Sequence, residues 1–266
     1  MSFKKKLTMG ALSATLGISL VAGGTWAAFN DIEENTASLA TGKFDLTVGE
    51  YDGAYQFNVS NLKPGDSMKR LIKLDNNGSL AIKDVLLSID KMDFTDYVPQ
   101  EGEPGFGDSD VYGSNSAEDY LEQFKVKLVR TGVEGNDEEI ISSSDNITLA
   151  DIYLATNPSK NDVNAIAKLR AAVGNHWEDG RVNLASTAEN QWEGIPVDND
   201  DYDVVEMEIE FVNNTVDKVD GIYSQNKFQG DKADVTFTLE ARQWDGQNVS
   251  NEEGYIESNE KARNGN

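Results

Sequence analysis

Val205-Glu206-Met207-Glu208-Ile209-Glu210-Phe211 alternates apolar and acidic residues without a break. Successive side chains of an extended strand point to opposite faces, so four apolar residues share one face and three glutamates the other. A helical period would scatter the same residues around an axis. The run therefore predicts a strand with one buried and one wet face. That pattern belongs to antiparallel sheets, because parallel strands are covered on both faces. The glutamate row either welcomes cations or discourages edge-to-edge pairing through like-charge repulsion, and the second is expected.

The same alternation recurs along the chain. Phe44, Leu46 and Val48 form one set, and Tyr55, Phe57 and Val59 another. Ile72 with Leu74, Val85 with Leu87 and Ile89, and Phe124 with Val126 and Leu128 follow. Val235, Phe237, Leu239 and Ala241 make the last. Turn signals separate them: Pro64-Gly65 and Asn76-Asn77-Gly78-Ser79, where Gly and Asn tolerate positive φ. Short strands with frequent turns predict a mainly β protein, an antiparallel sandwich or jelly roll with short helical insertions. The insertions are marked by capping residues. Ser116 with Asp119 opens a helix to about Phe124, and Thr148 with Asp151 opens one to about Ala155. Asp162 precedes the amphipathic set Val163, Ile166, Leu169, Ala172 and Val173, which stops at Gly174. Residues 99–115 read as an exposed loop rich in Gly, Pro and acids, and the chain turns polar from Asn248.

The first residues carry a different signal. Lys4, Lys5 and Lys6 precede an apolar run from Leu7 to Ala22 and then Gly23-Gly24-Thr25-Trp26-Ala27-Ala28. This is the layout of a secretory leader, with small residues before a cut between Ala27 and Ala28. The run is shorter than the roughly 18–20 apolar residues of a stable span, so a retained anchor is the weaker reading. Losing the leader leaves 239 of 266 residues and takes the formal charge from −24 to −27, because three lysines go with it. Such an acidic surface argues against nucleic acid and anionic membranes as partners and favours solubility, cations or a basic partner. There is no cysteine, so neither disulfides nor thiolate chemistry is available. A chain of this length can still bury a sufficient core.

Chemistry-bearing motifs are sparse. His176 is the single histidine, so the two-histidine zinc helix cannot be written, and no G-x-S-x-G elbow supports a triad. His176 is expected to be a loop residue after a helix. Asp198, Asn199, Asp200, Asp201 and Asp203 form an acidic loop without the Gly and Glu of an EF-hand, and a solvated turn is expected. No catalytic residue and no cofactor is assigned. Whether a metal is bound stays open.

Several stretches, spread in order along the chain, resemble the TasA/camelysin (CalY) family of biofilm matrix fibre proteins, also catalogued as peptidases. They are Lys4-Lys5-Lys6-Leu7, Gly23 through Ile32, Leu62-Lys63-Pro64-Gly65-Asp66 and Asn76 through Lys83. Glu206-Met207-Glu208-Ile209, Gln225-Asn226-Lys227-Phe228-Gln229-Gly230 and Glu240-Ala241-Arg242-Gln243-Trp244 complete the set. The resemblance implies a jelly-roll sandwich and removal of the leader before Ala28 by a signal peptidase of the SipW type. It implies a secreted, extracellular-matrix subunit that polymerises with itself by donor-strand complementation, with a matrix accessory or anchoring protein as a further partner. The donor is carried over to Ala28–Ser38, best matched at Ala28, Phe29, Asn30, Asp31 and Ile32. The organisation becomes leader 1–27, donor segment 28–40, jelly-roll domain 41–247 and polar tail 248–266. Phe29 and Ile32 are three apart, so a regular strand sends them to opposite faces unless a bulge intervenes. Two other readings stand beside the fibre subunit. One is a camelysin-like metallopeptidase, which the lone histidine disfavours; the other is a jelly-roll module that binds cations or glycan.

Overall fold

The 205–211 alternation lies in a central strand, not at an edge. The computed structural model describes residues 62–76, 82–103, 105–107, 113–132, 137–186, 194–196, 202–219 and 222–243, and the backbone pairing of 31–38. The leader, the 44–48 and 55–59 sets and the tail from Asn248 lie outside these residues. The strands are β1 (Asp31–Ser38), β2 (Ser67–Leu74), β3 (Ile82–Thr95), β4 (Phe124–Gly132), β5 (Asp137–Ile141) and β6 (Trp177–Glu178). They continue with β7 (Arg181–Asn183), β8 (Asp203–Phe211), β9 (Lys218–Val219), β10 (Ile222–Tyr223) and β11 (Lys232–Gln243). One sheet runs β1-β11-β3-β7-β6, a second β2-β8-β4-β5, and β9 with β10 makes a small ribbon. Every ladder among the described residues is antiparallel, as the alternation predicts.

Both sheets give one face to a single apolar cluster. Ile72, Leu74, Val126, Leu128, Val205 and Met207 come from the four-stranded sheet, and Val85, Leu87, Ile89, Val235, Phe237 and Leu239 from the five-stranded one. The fold is thus mainly β, with two antiparallel sheets around one core. At one end an aromatic group closes it: Phe124 stacks on Phe211 at 4.8 Å, and Tyr120 meets Phe124 edge-on at 5.0 Å. Tyr120 also touches Phe94 and Phe228.

The helices start where their caps say. Helix α1 (Ala117–Leu121) has Ser116 and Asp119 in a reciprocal capping box, and α2 (Leu149–Thr156) has Thr148 and Asp151 in another. Helix α1 ends before Phe124, because Phe124 is already the first residue of β4. Asp162 caps α3 (Val163–Val173), and Gly174 ends it at a φ of 54°. Its buried stripe is Ala165, Leu169 and Val173; Val163, at the first position, is 77% exposed and not part of the apolar face. The Pro64-Gly65 turn is type II: Asp66 N–H donates to Lys63 O at 2.9 Å, with Gly65 at a φ of 94°.

The expectation of one wet face fails for the five-stranded sheet. On its outer side Asp84, Leu86, Ser88, Thr236 and Thr238 are all buried. Arg181 of β7 reaches Glu240 of β11 across the intervening β3, and also pairs with Asp179. Arg242 reaches Asp84 at 2.7 Å and Glu178 at 3.0 Å. These long side chains roof the sheet with their stems while their charges are paired. Burial opposes the charge on Arg242, but Asp84 and Glu178 hold its guanidinium above its ordinary pKa.

Candidate functional site

The edge of the five-stranded sheet is built by β1. Its eight residues run antiparallel along β11, from Asp31 opposite Ala241 to Ser38 opposite Asp234. Of the residues carried over as donor, Asp31 and Ile32 open this strand, Ile32 opposite Glu240. Ala28, Phe29 and Asn30 lie outside the described residues, as does the Ala27–Ala28 bond. On its other side β11 is held by β3 over its whole length, from Lys232 opposite Thr95 to Gln243 opposite Ile82. A strand paired on both sides has its backbone donors and acceptors satisfied. Without β1, the Asp234–Ala241 edge of β11 would present a row of unpaired groups, the template that strand addition uses.

His176 lies just after a helix, and it is buried. It follows α3 in a short 3-10 turn (Gly174–His176), as the sequence suggests, and is 4% exposed. Its Nδ1 lies 3.1 Å from Asn183 O and its Nε2 3.1 Å from Glu138 Oε1. The other Glu138 oxygen accepts from Arg130 at 2.8 Å, and Arg130 also donates to Ser186 O at 2.8 Å. Both ring nitrogens are thus occupied by oxygen partners within a buried network that ties β5, β4 and the 174–186 segment together. Among the described residues, no three of His, Cys, Asp or Glu are grouped to hold a metal as a peptidase zinc site requires. His176→Phe removes both contacts and leaves the buried Asn183 carbonyl without its imidazole partner, so about 1–3 kcal/mol of stability should be lost. Urea unfolding checks this, and a loss below about 0.5 kcal/mol would refute a structural role for the ring.

The glutamate row meets lysines. Glu208 and Glu210 stand opposite Lys127 and Lys125 of β4. Lys69 of β2 reaches Glu206 at 2.7 Å and Glu208 at 3.2 Å. Hydrogen bonds to Glu206 and then Glu208 raise the Lys69 pKa. The row therefore guards no edge: it lies in a central strand, and Lys69 of β2 pairs with two of its three glutamates. The acidic loop lies outside the described residues except Asp203, which lies 3.9 Å from Arg130.

Two further polar places carry no sequence motif. One is an open cavity of about 580 Å³ beside the end of α2, lined by Asp90, Asn157, Trp177, Arg181 and Thr238 among others. The other joins Asp96, Gly113, Asn115, Lys227 and Asp231, at the far end of the β3–β11 ladder. Asn115 Nδ2 lies 2.7 Å from both Lys227 O and Asp231 Oδ2, 3.1 Å from Gly113 O and 3.4 Å from Asp96 Oδ1. Burial raises the Asp231 carboxyl above its usual range, against hydrogen bonds from Tyr97 N–H and Asn115, and the adjoining Asp96 carboxyl adds to the rise. Burial, with the Asp231 charge beside it, likewise pushes the Tyr120 hydroxyl up.

The family described as camelysin metallo-endopeptidase matches residues 2–248. The chain is also 38% identical, over 98% of its own length and 98% of the relative's, to the major biofilm matrix component of Bacillus subtilis (strain 168).

Proposed function

Because the chain belongs to the camelysin family, we propose that it is a secreted structural subunit of an extracellular biofilm matrix, and that its copies join head to tail by donor-strand exchange. The observation that carries the reading is the place of β1, which closes the β11 edge and precedes the rest of the fold in the chain. The same eight residue pairs made to a neighbouring copy would keep the ladder and link two subunits. Such an exchange changes few contacts, as in domain swapping, and a heterologous contact of this kind grows an open filament. The name of the Bacillus subtilis relative supports the matrix role.

In this reading the leader is cut between Ala27 and Ala28 by a SipW-type signal peptidase. Ala28–Ser38 is then the donor, the two sheets have jelly-roll connectivity, and an accessory or anchoring protein meets the fibre. While the leader is attached, the donor is tethered and cannot enter a neighbour. Electron microscopy of purified residues 28–266 is expected to show long filaments. Monomers at every concentration tested would sink the proposal. The family's description favours endopeptidase activity as a second reading. Casein cleavage that tracks the pure protein and stops with a chelator would support it; no such cleavage is expected.

A further inference from the structure

We propose that Asp96, Gly113, Asn115, Lys227 and Asp231 form a divalent-cation site of the calcium class. Four oxygens from four separate segments converge on Asn115 Nδ2 within 3.4 Å. A carboxamide nitrogen has two hydrogens to donate, so it cannot satisfy all four, although Asp96 Oδ1 also accepts from the Asn115 main-chain N–H at 3.3 Å. Two of the four belong to carboxylates, Asp96 and Asp231, whose side chains contact each other. Asn115 is 8% exposed and Asp231 7% exposed, while Asp96, Gly113 and Lys227 are half-buried. Lys227 gives the site its carbonyl, while its ammonium lies over the Phe228 ring at 4.7 Å.

The second observation is on Asn115 itself. Its Oδ1 is buried without any hydrogen-bond partner. An orphaned buried acceptor is costly. A cation resolves both problems at once. A half-turn of the carboxamide, with the side chain drawn back, adds Oδ1 to the Asp96, Asp231, Gly113 and Lys227 oxygens. Five oxygens with no nitrogen or sulfur, two of them charged and two from main-chain carbonyls, suit calcium, which takes six to eight such ligands at about 2.3–2.6 Å with water completing the set. Zinc prefers nitrogen and sulfur, and magnesium keeps its waters and a stricter octahedron.

Placement adds a reason. Asp96 follows β3, Asp231 precedes β11, Gly113 and Asn115 end the 99–115 loop, and Lys227 lies in the 3-10 turn Ser224–Phe228. Gly230 holds a φ of 86° with Tyr97 where a Cβ would stand, so the chain is bent tightly to bring Asp231 in. A cation there would pin four segments in a chain that has no disulfide to do so. The inference stands apart from the fibre reading.

The test is calorimetric titration of residues 28–266 with calcium chloride after chelator treatment, together with thermal unfolding. One equivalent of calcium should bind, and at a hundredfold excess over Kd the midpoint should rise by about 5–10 °C. Asp96→Asn and Asp231→Asn should each weaken that event at least tenfold. Asp200→Asn, in the acidic loop, should leave it unchanged. No stoichiometric binding to the unsubstituted chain, or binding that survives in Asp96→Asn, would overturn the site. If Asp231→Asn does not fold, Asp96→Asn and the chelated unsubstituted chain decide alone. Magnesium binding as tightly as calcium would overturn the calcium assignment.

Discussion

Removing residues 28–38 from the mature chain is expected to abolish filament growth while leaving the remaining fold standing. The truncation takes away all of β1 and nothing of the strands that hold β11 from the other side. Val235, Phe237 and Leu239 stay anchored in the core cluster. The β11 edge from Asp234 to Ala241 then lacks a partner, and no copy carries a strand to offer it. Circular dichroism should keep its β signature, and electron microscopy should show no fibres. A synthetic 28–38 peptide should bind the truncated chain one to one and still build no filament, because it fills an edge without bringing a second subunit. Filaments of unchanged abundance from residues 39–266 would end the donor-strand proposal.

Phe237→Ala is expected to lower the unfolding free energy by about 3–5 kcal/mol. Phe237 is 2% exposed, and β11 lies between β3 and β1, with Ile89 opposite Phe237 on one side and Asn35 on the other. The ladder to β3 shifts register beside it, between Thr236 and Phe237. Its ring therefore fills the middle of the core at a point where the backbone is already constrained, and the cavity left by alanine has little freedom to collapse. A domain of this kind has about 5–15 kcal/mol in total, so the variant is expected near the limit of folding. Urea unfolding measures the loss. Val163→Ala, on the exposed start of α3, should change stability by less than about 0.5 kcal/mol. Equal effects of the two substitutions would contradict the assignment of the core.

The parts of the fold legible in the sequence are those governed by neighbours in the chain. Alternation over a few residues marked β2, β3, β4, β8 and β11, because the strand period is local. Ser116 with Asp119, Thr148 with Asp151, and Asp162 marked the helix starts, because a cap and the backbone it satisfies are two or three residues apart. The Pro64-Gly65 turn was readable for the same reason. Where an element ended was less clear: α1 gave way to β4 before Phe124, since the packing of that ring prevailed over the helical pattern.

The sequence by itself determined an antiparallel, mainly β protein with capped helical insertions and a family membership spread along its length. Only the tertiary structure decided what the polar residues do. Glu206 meets Lys69 across 137 positions of chain, and Asn115 meets Asp231 across 116. Such pairs leave no periodic trace, because their register is set by sheet order and not by spacing. The outer face of the five-stranded sheet, the network around His176 and the convergence of oxygens on Asn115 therefore became visible only once distant strands lay side by side. The physical reason is that a strand's own sequence records which of its faces is apolar, but it does not record which charges its neighbours will bring to the other.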